Sequence, residues 1–267
     1  MPNVPSRVSS RVRALAVCAA LVAALLAVAA FAPLPYSIVL PGLTADTLGK
    51  DRGKPVVVVS GTGTRPTTGK LLLTTIAATQ PNATVRFTDV WHAWWDDQEA
   101  AMPRSSVYPE GDSVKEIEKH NTAEMAKSQN AATAAALKHL GLSSKQIQVK
   151  LNLADVGGPS AGLMFTLGII DKIDGDGRGG DLTGGRTIAG TGTITPSGQV
   201  GPVGGVPLKE QAAKRDGATV FLVPRAECSE AKSEQPAGLR LVPVRGLDDA
   251  IASLKALNGH GGSVPSC

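Results

Sequence analysis

The chain has 267 residues and 42% of them are apolar, enough for a sizeable core and incompatible with wholesale disorder. Aromatics make up 3%, and Trp91, Trp94 and Trp95 are three of them, so the spread-out stacking surface of a single-stranded nucleic-acid binder is missing. The net charge of +4 belongs to the N-terminus. Of 27 Lys and Arg, Arg7, Arg11 and Arg13 fall in residues 1–13, which hold no acid, and removing them leaves 24 against 23 Asp and Glu. A nearly neutral remainder argues against a DNA or RNA partner.

Ala14 to Ala32 is a run of 19 uncharged residues ended by Pro33 and Pro35. As a helix it rises ~28 Å, about the hydrocarbon thickness of a bilayer. Residues 14–32 are therefore expected to be a transmembrane anchor. Residues 1–13 form a basic cytoplasmic tail, and the rest lies outside the cytoplasm. The competing reading is a cleaved signal peptide with Ala30-Phe31-Ala32 as its site. The apolar run exceeds the usual h-region, which favours the anchor. Cys18 lies within it. Cys228 and Cys267 share an oxidising compartment in this reading; they either pair or stay as free thiols.

Residues 33–54 read as a linker with turns. Val56 to Val59 and Leu71 to Leu73 are short apolar runs between Gly, Thr and Pro, and predict strands. Residues 91–112 predict an irregular excursion. Asn121 and Glu124 signal a helix start, followed by an Ala-rich run to Leu140 with Gly141 as C-cap. Ile147, Val149, Leu151 and Leu153 alternate as a strand. Gly162 to Ile173 is apolar all round, a buried helix. Val220 to Val223 is another strand, and Asp248 to Leu257 a short amphipathic helix. The mixture predicts an α+β domain over residues 55–257, with 258–267 as a flexible tail.

Several motifs fail. Gly175, Gly177 and Gly180 spell G-x-G-x-x-G but follow a helix where a dinucleotide site needs a strand. Asp174 and Asp176 begin like a calcium loop, yet Arg178 and Gly185 stand where ligands belong. Gly69-Lys70 approaches a P-loop, with Thr64 and Leu71 at positions that require Gly and Ser or Thr. No cofactor or metal is expected. Asn82-Ala83-Thr84 matches a glycosylation acceptor by composition alone.

Gly157-Gly158-Pro159-Ser160-Ala161-Gly162 lies between a predicted strand and the predicted buried helix. Ser160 then sits at a helix N-terminus, where backbone N–H groups and the helix dipole favour a developing oxyanion. The same segment is compatible with a Ser-capped Gly/Pro turn. It also fits the G-x-S-x-G elbow of α/β-hydrolases, with Asp248 or Asp249 and then His260 in the required order. His260 lies in a Gly-rich tail with nothing evident to hold it, and His92, His120 and His139 all precede Ser160. Lys209 is a better base. Gly204-Gly205-Val206-Pro207-Leu208-Lys209 opens a helix with Pro207 in its first turn. Lys209 then faces the positive end of the dipole. Dipole and burial both lower its pKa, and a neutral amine can take a proton from a serine hydroxyl. An exposed lysine on an amphipathic helix is the plainer alternative.

Together these residues resemble the proteolytic domain of the Lon protease family. Gly158-Pro159-Ser160-Ala161-Gly162 and Gly204-Gly205-Val206-Pro207-Leu208-Lys209 match its two motifs, with 49 positions from Ser160 to Lys209. Ala189-Gly190-Thr191-Gly192, Gly198-Gln199-Val200 and the strand Ala218 to Pro224 are similar to family segments too, and so is the helix from Met125 to Leu140. The resemblance covers roughly residues 55–257. Within it, Gly157-Gly158-Pro159-Ser160-Ala161-Gly162-Leu163-Met164-Phe165, Ile188 to Ile194 and Val107-Tyr108-Pro109 look like a membrane-anchored bacterial branch without an ATPase. That branch carries a PDZ domain before the nucleophile strand, and the few residues between Leu140 and Ile147 leave no room for one. Many ATP-dependent members have Asp where this chain has Gly157.

The resemblance implies an ATP-independent, membrane-anchored serine endopeptidase with a Ser160–Lys209 dyad. It implies that Thr191 contacts the lysine amine and that the Ser160 and Ala161 amides form the oxyanion hole. It also implies polypeptide substrates, a homo-oligomeric ring and a place in a bacterial cell membrane. A non-catalytic peptide-binding protein on the same fold is the alternative, and an α/β-hydrolase esterase the third reading.

Overall fold

A computed structural model describes residues 9–96, 98–108, 113–153 and 156–267. The family-like segment Val107-Tyr108-Pro109 and the expected excursion 91–112 fall partly outside them, as do residues 1–8 of the basic tail. In chain order the elements are α1 Ser10–Phe31, β1 Tyr36–Asp46, β2 Lys50–Asp51, β3 Lys54–Pro55, β4 Val57–Ser60 and β5 Lys70–Ala78. Then come α2 Phe87–Trp95, β6 Ala100–Pro103, α3 Arg104–Val107, α4 Val114–His139, β7 Gln148–Leu151 and α5 Gly162–Ile173. The rest is β8 Thr187–Gly190, β9 Thr193–Ile194, β10 Val200–Gly201, α6 Val206–Arg215, β11 Val220–Pro224, α7 Cys228–Ser233, β12 Arg240–Val244 and α8 Leu247–Leu257.

A six-stranded sheet in the order β12-β11-β8-β5-β1-β6 organises the domain. β12, β11, β8 and β5 run parallel, and β1 and β6 join antiparallel. Side chains alternate between the faces. Leu71, Leu73, Ile188, Leu222, Val242 and Val244 face α5, whereas Leu72, Ala189, Phe221, Val223 and Leu241 face the side covered by α6. Helices on both faces explain why strands such as β11 are buried from end to end.

α5 is the centre of the larger core, with every residue from Gly162 to Asp171 buried. The Ala-rich α4 packs on it. Ala132, Ala135 and Ala136 are at most 2% exposed, and their small side chains let the two backbones approach closely. Truncating a fully buried ring such as Phe165 to Ala would cost about 3–5 kcal/mol. Gly141 closes α4 in the left-handed region, at φ +65, as expected of a C-cap glycine.

Four expectations need correction. The segment 33–54 is not a linker: it contains β1, paired with β5 on one side and β6 on the other. Pro41 and Gly42 hide the strand, because the register slips between Pro41 and Thr44. α4 begins before Asn121, at Val114, where Ser113 and Glu116 form a reciprocal capping box. The stretch 91–112 opens inside α2 and continues through β6 and α3. The tail 258–267 is fastened, since Cys267 forms a disulfide with Cys228 and Arg240 Nη2 donates to the Val264 carbonyl at 3.2 Å.

The G-x-G-x-x-G stretch is a loop between α5 and β8. Its Asp176 carboxylate accepts from the Arg178 and Gly180 amides at 2.7 and 2.9 Å. α1 is long and apolar enough to cross a membrane, and none of its residues is buried.

Candidate active site

Ser160 lies in the turn that enters α5. Gly158 makes the bend possible with φ +84. Its amide donates to the Asn121 carbonyl at 3.2 Å, and Ser128 Oγ donates to the Pro159 carbonyl at 2.9 Å, so α4 holds one side of the turn. The residues after β8 hold the other. The Gly192 amide donates to the Ser160 carbonyl at 2.9 Å, and the Leu163 amide to the Gly192 carbonyl at 3.1 Å. Thr191 Oγ1 also donates to the Ser160 carbonyl, at 3.3 Å.

Two glycines here are fixed by close approach. A Cβ on Gly162 would lie 2.9 Å from Ile194 Cγ2 and 3.0 Å from Ser128 Oγ. A Cβ on Gly157 would lie 2.9 Å from Asn121 Cβ. A larger residue at position 157 would have to displace the Asn121 side chain of α4.

Lys209 sits in the first turn of α6. Gly205 caps that helix in the left-handed region, at φ 67, and its carbonyl accepts the Lys209 amide at 3.2 Å. The crossover from β8 through α6 to the parallel β11 returns the helix against the strands, so its first turn lies where β8 ends. Contact with Ile76 agrees. That residue lies 3.0 Å from a Cβ built on Gly205, past the point where Leu73 pairs with Gly190. The first turns of α5 and α6 and the β8 exit at Thr191 thus gather at the carboxyl end of the parallel strands, the usual place for a site in such a sheet.

Lys209 is 3% exposed. Burial lowers its pKa to about 8, against the opposing pull of Glu227 and Glu230. Its neighbour Glu210 is wholly buried, with no hydrogen-bond partner at either carboxylate oxygen among the described residues. Burial raises the Glu210 pKa to about 8, and the charges of Glu230 and Glu234 push the same way. Glu230 Oε1 accepts the Val206 amide at 3.3 Å. Glu210 was not singled out in the sequence; an acid beside a suspected buried lysine was the available signal.

The residues of the esterase reading do not assemble. His260 Nδ1 lies 3.4 Å from Asp176 Oδ2, and His139 Nδ1 lies 3.4 Å from Asp248 Oδ1. Asp249 Oδ2 accepts the Arg245 amide at 3.1 Å. His260 is therefore held in place after all, but by the loop after α5 rather than at Ser160. Beside the Ser160 turn runs an apolar groove of about 950 Å³ between α4 and β9, lined by Glu124, Ala131, Pro159, Ile194 and Pro196 among others.

Part of this chain is similar in sequence to known proteins. The chain is 28% identical over 130 residues to Lon protease 2 of Bacillus subtilis (strain 168), covering 48% of this chain and 22% of that protein. It is 32% identical over 96 residues to the Lon protease of Chloroflexus aggregans (strain MD-66 / DSM 9485), covering 35% of this chain and 11% of that one. The match thus spans less than a quarter of either relative. Residues 111–255 match the Lon protease (S16) C-terminal proteolytic domain. That stretch holds the Ser160 turn, Thr191 and the Lys209 helix, and by it the chain belongs to the Lon protease family.

Proposed function

We propose that this chain is a membrane-anchored serine endopeptidase that cleaves flexible or unfolded polypeptides without ATP, using Ser160 as nucleophile and Lys209 as base. The observation that carries the reading is the buried Lys209 amine, whose pKa is lowered to about 8 in the first turn of α6, at the end of the sheet where Ser160 enters α5. A neutral Lys209 takes the Ser160 proton as Oγ attacks the peptide carbonyl. The Ser160 and Ala161 amides, at the positive end of the α5 dipole, receive the oxyanion. The proton passes from Lys209 to the leaving amine, and water then releases the acyl group. Thr191 keeps the nucleophile turn in place through the Ser160 carbonyl.

The apolar groove beside Pro159 suits the side chains of an extended substrate. The likeness of residues 157–165 and 188–194 to a branch without an ATPase supports hydrolysis uncoupled from ATP. The apolar α1 supports the anchor, and the Cys228–Cys267 disulfide supports a domain outside a bacterial cytoplasm. A homo-oligomeric ring is part of the same reading and is measured by light scattering of the detergent-solubilised chain.

The deciding experiment compares the parent with Ser160→Ala, Lys209→Ala, Lys209→Arg and His260→Ala on an unfolded polypeptide, with and without ATP. Loss of the base costs about 10²–10⁴ in rate. Arg does not rescue, because guanidinium stays charged. His260→Ala stays active and ATP changes nothing. A parent that cleaves no polypeptide and leaves Ser160 unlabelled by a serine-directed fluorophosphonate would favour a peptide-binding role instead.

A further inference from the structure

α2 is a short helix with an unusual outer face. Phe87, Trp91, Trp94 and Trp95 are 50%, 54%, 79% and 70% exposed. Their spacing puts all four on one side of the helix. Ala93 on the other side is buried with Ile38 and Val85, and Val90 packs beside them. The rings touch in series, Phe87 to Trp91 at 6.1 Å and Trp91 to Trp95 at 5.9 Å between centroids. Packing against this domain explains the Val90 and Ala93 side, and among the described residues the outward aromatic side stays exposed.

Its position indicates the partner. α2 touches α1, and α1 ends at Phe31, itself 73% exposed. The chain leaving α1 is pinned to the start of α2 within a few residues, because the Leu34 amide donates to the Val85 carbonyl at 2.8 Å. The aromatic face therefore lies at the level where an apolar helix leaves the hydrocarbon. Trp is favoured there, with its ring among the upper acyl chains and its N–H among headgroups. Arg86, exposed at the N-cap of α2, stands at the same level and suits a phosphate.

We propose that α2 is an interfacial foot: Phe87, Trp91, Trp94 and Trp95 seat in the headgroup–acyl boundary of the bilayer that α1 crosses and fix how the domain stands on the membrane. This rests on the anchoring role of α1. The sequence contains three Trp, all in α2, so the intrinsic tryptophan emission reports on this face alone. The experiment uses the full chain reconstituted in phosphatidylcholine–phosphatidylglycerol vesicles, with lipids brominated near the headgroup or deep in the acyl chain. Flotation of the vesicles reports on α1 separately.

The expected result is co-flotation, blue-shifted emission, strong quenching by shallow bromines, weaker quenching by deep ones, and little access for aqueous acrylamide. Three single-Trp variants, each with the other two positions changed to Phe, should all show the shallow pattern. Co-flotation with water-like, acrylamide-quenched emission would overturn the foot while leaving the anchor intact. Emission shielded from both acrylamide and brominated lipid would mean a protein covers the face, and would overturn it too. Failure to float would remove the anchor and the foot together.

Discussion

Thr191 and Ser160 meet at one oxygen: the Thr191 hydroxyl donates to the Ser160 carbonyl at 3.3 Å, beside the Gly192 amide at 2.9 Å. The resemblance assigns Thr191 to the lysine amine, and a hydroxyl that donates to one group can still accept from another. Thr191→Val keeps the shape and removes the hydroxyl. It should cost about 1 kcal/mol of stability and lower peptide cleavage on the order of tenfold, whereas Thr191→Ser should stay near the parent. Equal thermal stability and equal rates for the Val variant would remove Thr191 from the site.

Lys209 as the proposed base, with its pKa lowered to about 8, gives a defined pH profile. Activity should rise with pH through that value and fall away on the acid side as the amine protonates. Glu227 and Glu230 hold the Lys209 pKa up, so Glu227→Gln should move the acid limb to lower pH. Measuring kcat/KM against pH for parent and variant checks both statements. A limb that stays in place, or moves up, contradicts the assignment of that limb to Lys209.

Glu210 makes a separate prediction about stability. Its pKa is raised from 4.5 to about 8 in the folded protein. Between those values the folded state holds a proton that the unfolded state has released, so stability falls as pH rises through the window. Glu210→Gln, which has no proton to lose, should flatten that fall and be more stable than the parent at the alkaline end. Chemical denaturation across the pH range reads this directly, and parallel curves for the two proteins would refute it.

The disulfide between Cys228 and Cys267 closes a separation of 39 residues. A loop of that size is worth about 4 kcal/mol by unfolded-state entropy. Cys267→Ser should lower the thermal midpoint measurably, and reducing agent should lower the parent but not the variant. Insensitivity of the parent to reductant would show that the bond contributes nothing to stability.

The parts of this fold that could be read from residues alone are those with sharp edges. α5 runs Gly162–Ile173 as expected, because a continuous apolar run follows a Gly-Pro-Ser turn and ends at Asp174 and Gly175. β11 and the Gly141 cap were equally plain. β1 was not, since Pro41 and Gly42 interrupt the alternation where the strand bulges. α2 was missed because Phe, Val and Trp favour strands by propensity, and Ala93 is its one fully buried side chain. The first turn of α4 was missed although Ser113 and Glu116 spell a capping box. Ser160 and Lys209 could be singled out as motifs. Burial of Lys209 stays open against an exposed lysine at that level, and burial of Glu210 is not legible at all, since both arise when α6 packs on strands distant in sequence. The cysteine pairing stayed open for the same reason.

The antiparallel strand that follows the apolar helix also decides how the domain bears load. Tyr36 to Val39 pair with β6, and from Val39 to Asp46 the strand pairs with β5. Tension arriving along α1 therefore enters the sheet within a few residues of Phe31, with no slack chain to absorb it. The short ladder to β6 takes the first strain and the longer ladder to β5 the rest. A pull on α1 would reach the same β5 that lies beside β8, so the apolar helix and the strand leading to Thr191 form one mechanical unit.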